Sequence, residues 1–338
     1  MKKIINEPEN FVKEMIEGIV AAHSDKIQLL NDDIRVMVRK DNPKINKVGI
    51  VTAGGSGHLP TFLGYVGEGM LDGCAIGNVF ASPSSQKMFD MIKACDFGKG
   101  VLCLYGNYGG DKMNFNMACE LADFEDIKTA SVLVKDDVAS APYEKKETRR
   151  GVAGMLYAYK IAGAAADEGF ELSEVAEITQ HALENIKTMG VALSPCIVPE
   201  VGKPTFSIEE NKIEIGMGIH GEQGIEVRDM LKADEIADLI FSKIDEELAL
   251  KSEDEVSVTV NGLGATPLEE LYIVYNRIYK ILKEKNVKIK LNKPQIRLKN
   301  EVVNKKSAKR GEDKIWYPVI AINSVKMVAE GFQLVADE

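Results

Sequence analysis

The chain reads Lys47-Val48-Gly49-Ile50-Val51-Thr52-Ala53 and continues directly into Gly54-Gly55-Ser56-Gly57-His58. The first seven residues are mostly apolar, as is typical of a strand that a parallel sheet buries on both faces. Residues 100–105 and 129–134 have the same character, and helical patterns separate the three segments. Strands that alternate with helices predict an α/β fold, because crossover helices cover the faces of a parallel sheet.

The alternation begins again in the second half of the chain. Strands are predicted at residues 190–193, 212–219, 255–260 and 315–322. Helices are predicted at residues 11–20, 84–94, 113–121, 149–168, 173–189, 233–248 and 267–285. At about 150 residues per domain, 338 residues suffice for two domains. We therefore expect two α/β domains, residues 1–188 and 189–338, each with a largely parallel or mixed sheet flanked by helices.

Composition and charge describe an ordinary globular protein. The chain is 45% hydrophobic and 28% charged, with a net charge of −10, which excludes wholesale disorder and collagen-like repeats. No apolar run approaches the ~18 residues of a membrane span, and the N-terminus becomes polar too early for a signal peptide. A basic stretch at residues 283–314 lacks interleaved aromatic residues, so nucleic-acid binding is not expected. These features predict a cytoplasmic protein without a membrane partner.

Glycine is concentrated in one part of the chain. Thirteen of the 29 glycines lie between Gly54 and Gly110, more than twice an even share. Glycine allows the backbone to turn sharply and to approach a ligand closely. We therefore expect a small-molecule site to be built around these glycine loops.

Three loops that follow predicted strands contain titratable groups, and ligands of open α/β sheets bind at such strand ends. They are residues 54–58 with His58, residues 106–111 with Asp111, and residues 216–224 with His220. Backbone N–H groups of the first loop could hold a carbonyl or phosphate oxygen. Asp111 could be a general base, and the imidazole of His220 a nucleophile, a base or a metal ligand.

Each loop also has a simpler interpretation. Residues 54–58 could be a glycine-rich turn with a surface histidine, and Asp111 could cap a helix that starts near Met113. The first loop matches neither GxGxxG nor GxxxxGK[ST], and Gly55-Ser56-Gly57 is not a convincing hydrolase elbow. The four histidines have no HxxxH or HExxH spacing, so no metal is expected.

Separated motifs across residues 1–285 resemble DhaK, the dihydroxyacetone-binding subunit of dihydroxyacetone kinase. The motifs in the first half are Gly54-Gly55-Ser56-Gly57-His58, Gly64-Tyr65-Val66-Gly67-Glu68-Gly69-Met70-Leu71, Val79-Phe80-Ala81-Ser82-Pro83, Asn107-Tyr108-Gly109-Gly110-Asp111, Asp136-Asp137-Val138 and Arg149-Arg150-Gly151. Those in the second half are Val198-Pro199-Glu200-Val201-Gly202-Lys203-Pro204, Gly218-Ile219-His220-Gly221-Glu222 and Gly262-Leu263-Gly264-Ala265-Thr266.

The resemblance implies roles for these residues. His220 would form a covalent hemiaminal with the ketone of dihydroxyacetone, Asp111 would be the base for its hydroxyl, and His58 would assist. The substrate contacts would come from residues Gly54, Gly55, Ser56 and Gly57. The resemblance also implies a homodimer that itself binds no cofactor. ATP or ADP with Mg²⁺ would lie on a separate DhaL-like subunit, whose nucleotide a phosphotransferase-system protein often recharges.

Several positions depart from the family pattern. Leu59 stands where glutamate is usual, Gly106 where a substrate-binding lysine is usual, and Gln223 where proline is common. A lysine lost to glycine removes a charge-assisted contact and opens space. Two alternatives to a dihydroxyacetone kinase subunit follow. One is a kinase subunit for a four-carbon ketose, and the other is a non-catalytic ligand-sensing coactivator similar to DhaQ.

Overall fold

A computed structural model describes residues 3–41, 46–292 and 319–326. In these ranges the chain forms two six-stranded mixed sheets with helices packed against them. The predicted α/β fold class is therefore confirmed. Within the described ranges, no helix combines the length and apolarity needed to cross a membrane.

The first sheet contains four parallel strands and an antiparallel edge. Its strands are β1 (Ile27–Leu30), β2 (Asp33–Arg39), β3 (Lys47–Gly55), β4 (Gly73–Gly77), β5 (Gly98–Gly106) and β6 (Thr129–Val134), in the order β1-β2-β4-β3-β5-β6. β3, β5 and β6 confirm the three predicted strands. β1, β2 and β4 were not predicted, although positive φ angles at Asn31 and Asp32 make a tight turn typical of a hairpin.

Five helices accompany this sheet. They are α1 (Phe11–Ala22), α2 (Ser85–Ala94), α3 (Gly109–Asp123), α4 (Gly154–Asp167) and α5 (Leu172–Glu184). α2 and α3 bury Met88, Met91 and Phe115 against one face of the sheet. α4 and α5 contact the strands of the sheet and contribute to a separate hydrophobic core. This coverage explains why β3 is buried at every residue.

Two helix boundaries differ from the predictions in ways that affect the site. The helix expected from Met113 begins at Gly109, so Asp111 lies in its first turn. The helix expected to continue to Met189 ends at Glu184, and residues 186–189 belong to a strand. Leu183, Ile186 and Met189 are three residues apart, so the helical spacing of apolar residues continues across the junction into the strand.

The second sheet also joins parallel strands to an antiparallel edge. Its strands are β7 (Ile186–Ser194), β8 (Lys212–Ile215), β9 (Glu226–Asp229), β10 (Glu255–Asn261), β11 (Lys288–Asn292) and β12 (Val319–Lys326), in the order β11-β10-β12-β7-β8-β9. Helices α6 (Ala233–Leu248) and α7 (Leu268–Glu284) pack against it. The strand expected over residues 212–219 ends at Ile215, because Gly216 takes a positive φ of 77° and turns the chain away.

Two predictions extend beyond the described residues. Of the strand predicted at residues 315–322, residues 319–322 lie in β12 and the rest lie outside the described ranges. The basic stretch at residues 283–314 lies outside the described ranges from residue 293 onward. The domain boundary between residues 188 and 189 stays a prediction, and β7 extends across it.

A buried ion pair connects the two halves. The Arg149 guanidinium, 2% exposed, donates from Nη1 to Glu247 Oε2 at 2.7 Å and from Nη2 to Glu247 Oε1 at 2.5 Å. Nearby, the hydroxyl of Tyr157 on α4 lies 3.0 Å from Ser257 Oγ on β10. Bidentate arginine–carboxylate pairs fix orientation as well as distance. These contacts join the first half of the chain to α6 and β10 of the second half.

Candidate active site

A cavity of about 270 Å³ lies where the three loops singled out from the sequence meet. Its described lining residues are Gly55, Phe62, Phe80, Ala81, Ser82, Tyr108, Gly110, Asp111, His220 and Glu222. The volume is just below the range of roughly 300–1,000 Å³ that drug-sized ligands occupy, so the cavity suits a smaller molecule. The segment between β4 and α2, which contributes Phe80, Ala81 and Ser82, has no titratable residue that could have indicated a site.

The loop between β8 and β9 folds a carboxylate back onto His220. Glu222 Oε1 lies 2.9 Å from His220 Nδ1, and Glu222 Oε2 accepts the backbone N–H of His220 at 2.9 Å. Any Cβ at Gly218 would lie 2.1 Å from Glu222 Oε2, and Gly221 has a φ of +86°. The glycines around His220 are therefore required by the close approach of Glu222 and by the turn that brings it back.

The electrostatics of this pair fix which imidazole nitrogen is available. Burial acts to raise the pKa of Glu222, but the hydrogen bond and charge of His220 outweigh it and hold that pKa at about 2. An ionised carboxylate only accepts hydrogen bonds, so Nδ1 carries the proton in the neutral ring. Nε2 is then left with its lone pair, as a nucleophile requires. Glu222 closes the motif Gly218-Ile219-His220-Gly221-Glu222, but its residue type and position alone did not assign it a role.

Aromatic rings enclose His220 on several sides. The ring centroids of His58 and Tyr108 each lie 4.7 Å from that of His220, both in edge-on geometry. His58 stacks on Phe80 at 4.9 Å and meets Phe62 edge-on at 5.8 Å. Burial, followed by the charge of His220, lowers the pKa of His58 to about 3. His58 is therefore a neutral imidazole packed among aromatic rings, and one of its nitrogens can donate a hydrogen bond while the other accepts one.

Asp111 faces the cavity from the first turn of α3. Its residue is 5% exposed, and burial raises the pKa of its carboxyl to about 6, although Ser82 and His220 act in the opposite direction. The N-cap of α3 is Tyr108, without a capping side-chain hydrogen bond. The expectation that Asp111 caps a helix starting near Met113 is therefore wrong, because the helix begins two residues before Asp111.

Three buried polar atoms of the predicted site have no hydrogen-bond partner. Among the residues that the structure describes, only four buried side-chain polar atoms lack one, and they include Ser56 Oγ, His58 Nε2 and Asp111 Oδ1. Buried polar groups in native proteins are nearly always paired, because an unsatisfied group costs about 1–3 kcal/mol. Of these residues, Asp111 lines the cavity and His58 packs against His220, which fits a ligand that carries hydroxyl groups. No cluster of three possible metal-binding side chains occurs among the described residues.

Comparison with known proteins defines the family. The model of the Dak1 domain matches residues 17–294. The chain belongs to the Dak1 family. It is 44% identical to the dihydroxyacetone-binding subunit DhaK of a PTS-dependent dihydroxyacetone kinase from Listeria innocua, over 86% of this chain and 87% of that protein. The family resemblance seen in the sequence is therefore confirmed.

Other Dak1 relatives differ in named activity. An L-erythrulose kinase from Pectobacterium atrosepticum is 39% identical over 86% of this chain, which spans 49% of that protein. The solved structure of the dihydroxyacetone kinase operon co-activator Dha-DhaQ has a TM-score of 0.77 at 31% identity and covers 85% of this chain and 86% of its own. The C. freundii dihydroxyacetone kinase in complex with AMP-PNP and Mg²⁺ has a TM-score of 0.76 at 31% identity, covering 84% of this chain and 52% of its own.

The first glycine loop of this Dak1 chain is occupied by protein contacts. The N–H groups of Ser56 and Gly57 donate to the carbonyls of Asn78 and Val79, at 3.2 and 2.7 Å. A Cβ at Gly54 would lie 2.2 Å from the Phe62 ring. The expectation that these N–H groups are free for a ligand oxygen is therefore wrong for Ser56 and Gly57. Within this loop Gly55 lines the cavity, and His58 contributes its contacts with the lining rings.

Two of the positions that depart from the usual Dak1 pattern are filled by packing. A Cβ at Gly106 would lie 2.8 Å from Cε2 of Tyr108, whose hydroxyl donates to the carbonyl of Gly151 at 2.9 Å. The Tyr108 ring thus occupies the space beside Gly106. Leu59 packs against the core under the first loop instead of presenting a carboxylate. Neither Gly106 nor Leu59 is among the described lining residues of the cavity.

Proposed function

We propose that this chain is the substrate-binding subunit of a dihydroxyacetone-type kinase and holds a short ketose covalently on His220. The observation that carries the proposal is that His220 holds Nδ1 against Glu222 and shares its surroundings with His58 and Asp111, each of which has a buried polar atom without a partner. A short ketose has one electrophilic carbonyl carbon and several hydroxyl groups, which match this arrangement. Covalent capture also suits a ligand with few atoms, because non-covalent affinity is limited to about 1.5 kcal/mol per heavy atom.

The capture step balances without a further reactant. The Nε2 lone pair of His220 forms a bond to the carbonyl carbon, and the π pair of that carbonyl moves to its oxygen, which takes a proton. The imidazole ring becomes positively charged until it releases the proton on Nδ1, and this release balances the proton that the carbonyl oxygen takes up. Glu222 lies 2.9 Å from Nδ1, so its carboxylate stabilises this charge as it develops.

Phosphoryl transfer requires removal of a proton from the substrate hydroxyl. Asp111 is the proposed base, because its carboxyl faces the cavity and its pKa of about 6 permits it both to accept and to release a proton near neutral pH. His58 is the proposed assistant, since its neutral ring presents an unpaired Nε2 within the same buried cluster. The substrate hydroxyl would replace the partners that these two groups lack.

The phosphoryl donor is proposed to come from outside this chain. Among the described lining residues none is lysine or arginine, the side chains that hold the phosphates of a nucleotide. ATP or ADP with Mg²⁺ would therefore bind a separate DhaL-like subunit that docks over the cavity. The related C. freundii kinase was solved in complex with AMP-PNP and Mg²⁺, and this chain matches 52% of that kinase. The remaining part of that kinase could correspond to such a nucleotide-binding subunit.

Two alternatives rest on specific observations. The relative named L-erythrulose kinase favours a four-carbon ketose as substrate. The similarity to Dha-DhaQ favours a ligand-sensing coactivator. A coactivator that senses a ketose must bind it but needs no general base. Asp111 lines the cavity as a buried carboxyl with an oxygen that lacks a hydrogen-bond partner, as a general base would. We therefore place the kinase subunit first.

The proposal is tested by adding dihydroxyacetone or erythrulose to the purified chain and measuring its intact mass. We expect the mass to increase by that of one ketose, and we expect ATP consumption once a DhaL-like subunit is added. Capture without phosphorylation by any such partner would support the coactivator. An unchanged mass with every short ketose would contradict both proposals.

Glu222→Gln is expected to lower the equilibrium yield of the adduct by roughly 10- to 100-fold. A glutamine cannot provide the charge-assisted hydrogen bond to Nδ1, and such bonds contribute about 1.5–3 kcal/mol. The yield is measured by titrating the ketose against intact mass. The matched control is Glu210→Gln, the same change at an exposed position, which should leave the yield unaltered. Equal yields in wild type and Glu222→Gln would remove Glu222 from this role.

A further inference from the structure

Arg150 is not among the described lining residues of the cavity, yet it contacts the loop that carries His220. It belongs to the segment between β6 and α4, and its side chain is 12% exposed. Nη2 donates to the carbonyl of Gly216 at 2.8 Å, and Nη1 donates to the carbonyl of Glu222 at 3.5 Å. Gly216 and Glu222 precede and follow His220 along the chain. One side chain of the first half therefore contacts the loop on both sides of the nucleophile.

Asp137 holds the guanidinium of Arg150 from the other side. The Asp137 side chain is 4% exposed, and its Oδ2 accepts from Arg150 Nε at 3.0 Å and lies 2.8 Å from Nη2. The backbone N–H of Asp137 also donates to the carbonyl of Arg150 at 3.1 Å. A planar guanidinium that is held at two nitrogens keeps its other donors in a fixed direction. Asp137 therefore orients Arg150 toward the loop.

The guanidinium of Arg150 and the carboxylate of Glu222 meet at Gly218. A Cβ at Gly218 would lie 2.3 Å from Arg150 Nη1 and 2.1 Å from Glu222 Oε2. Both charged groups thus lie against the backbone of Gly218, whose N–H donates to the carbonyl of Glu222 at 2.9 Å. Opposite charges attract each other more strongly where protein replaces water. Arg150 therefore favours the position of Glu222 in which Oε1 meets Nδ1 of His220.

We propose that Arg150 is a positioning residue, which fixes the loop at residues 216–224 to the first half of the chain and keeps Glu222 against Nδ1 of His220. The proposal rests on the proposed function, in which Nε2 of His220 attacks the ketose. A buried ion pair such as Arg150 with Asp137 is costly to desolvate and is weak evidence for stability. Orientation matters more, because a small misplacement of a reacting group can lower a rate about 100-fold.

Arg150→Gln separates the two sets of contacts, because the amide nitrogen of glutamine stands where Nε of arginine stands. The amide can still donate to Asp137 but does not reach Gly216. Adding Asp137→Asn removes the carboxylate that would otherwise stay buried without a countercharge, so we expect the double variant to melt close to the wild type. The matched control is Arg277→Gln with Asp238→Asn, which alters a bidentate pair between α7 and α6 at the surface.

The first readout is the tautomer of His220 in the ligand-free chain, measured by ¹⁵N NMR of histidine-labelled protein at mildly alkaline pH. The hydrogen bond of one ring nitrogen sets which nitrogen carries the proton. We expect the proton on Nδ1 in the wild type and the control, and both tautomers in the double variant. A role of Arg150 in stability alone would leave the tautomer unchanged. The second readout is intact mass with dihydroxyacetone, where we expect a yield roughly 10- to 100-fold lower in the double variant.

A double variant that keeps the proton on Nδ1 of His220, or that captures the ketose with the yield of the wild type, would overturn the proposal. Arg150→Lys provides the same test in a chain that retains a positive charge beside Asp137, because one ammonium group cannot replace the fork of donors. It decides the matter if the double variant does not fold. A wild type that captures no ketose would contradict the proposed function instead, and the tautomer of His220 would then decide the role of Arg150 alone.

Discussion

Replacing His220 with asparagine is expected to abolish the mass increase with dihydroxyacetone and to reduce kcat/KM for phosphorylation at least about 10³-fold. Asparagine can still donate a hydrogen bond toward Glu222, but its amide nitrogen has no lone pair available to attack a carbonyl. Without the covalent bond, a ketose of so few atoms is held only by weak contacts. Intact mass reports capture, and steady-state kinetics with a DhaL-like partner reports transfer.

His181→Asn is the matched control for this prediction. His181 on α5 also lies beside a glutamate, with Nδ1 3.4 Å from Glu184 Oε2, but its side chain is 55% exposed. The control variant should capture ketose and support transfer as the wild type does. A mass increase that persists in His220→Asn would show that another residue forms the adduct.

Asp111→Asn is expected to lower kcat by about 10²–10⁴-fold while the adduct still forms. The amide cannot accept the hydroxyl proton, whereas capture depends on His220 and Glu222. The pH profile adds a second readout. Because burial raises the pKa of Asp111 to about 6, the base is ionised above that pH. The wild-type rate should therefore rise as the pH increases through about 6 and then level off, and the variant should lack this rise.

A measurement of thermal stability distinguishes the loss of the base in Asp111→Asn from a loss of the folded structure. The pKa of Asp111 is higher in the folded chain than in the unfolded chain, so its ionised form destabilises the fold above the unfolded pKa of 3.8. Asp111→Asn should therefore melt no lower than the wild type at neutral pH. Asp123→Asn, at the exposed end of the same helix, is the control and should retain full activity. Equal kcat values in Asp111→Asn and wild type would exclude Asp111 as the base.

Where the apolar pattern of an element is uninterrupted, both of its end residues were predicted correctly. β6 and α6 have the predicted bounds, because their apolar spacing is unambiguous over their whole length. β4 was missed, since the sequence Gly-Cys-Ala-Ile-Gly has one β-branched residue and reads as a loop. β9 was missed because its four residues include three charged ones, and its pairing with β8 stabilises it more than its composition indicates.

The sequence by itself determined the fold class, the family and the three loops that carry His58, Asp111 and His220. The fold class and the three loops follow from the local spacing of apolar residues and glycines, and the family follows from the resemblance of its separated motifs. Only the tertiary structure decided that Glu222 orients His220, that aromatic rings enclose it, and that Ser56 and Gly57 use their N–H groups within the protein. Such contacts depend on the packing of strand ends from two sheets, and burial sets the pKa values there. Neither the distance between two loops nor the degree of burial is encoded in the residues of one loop alone.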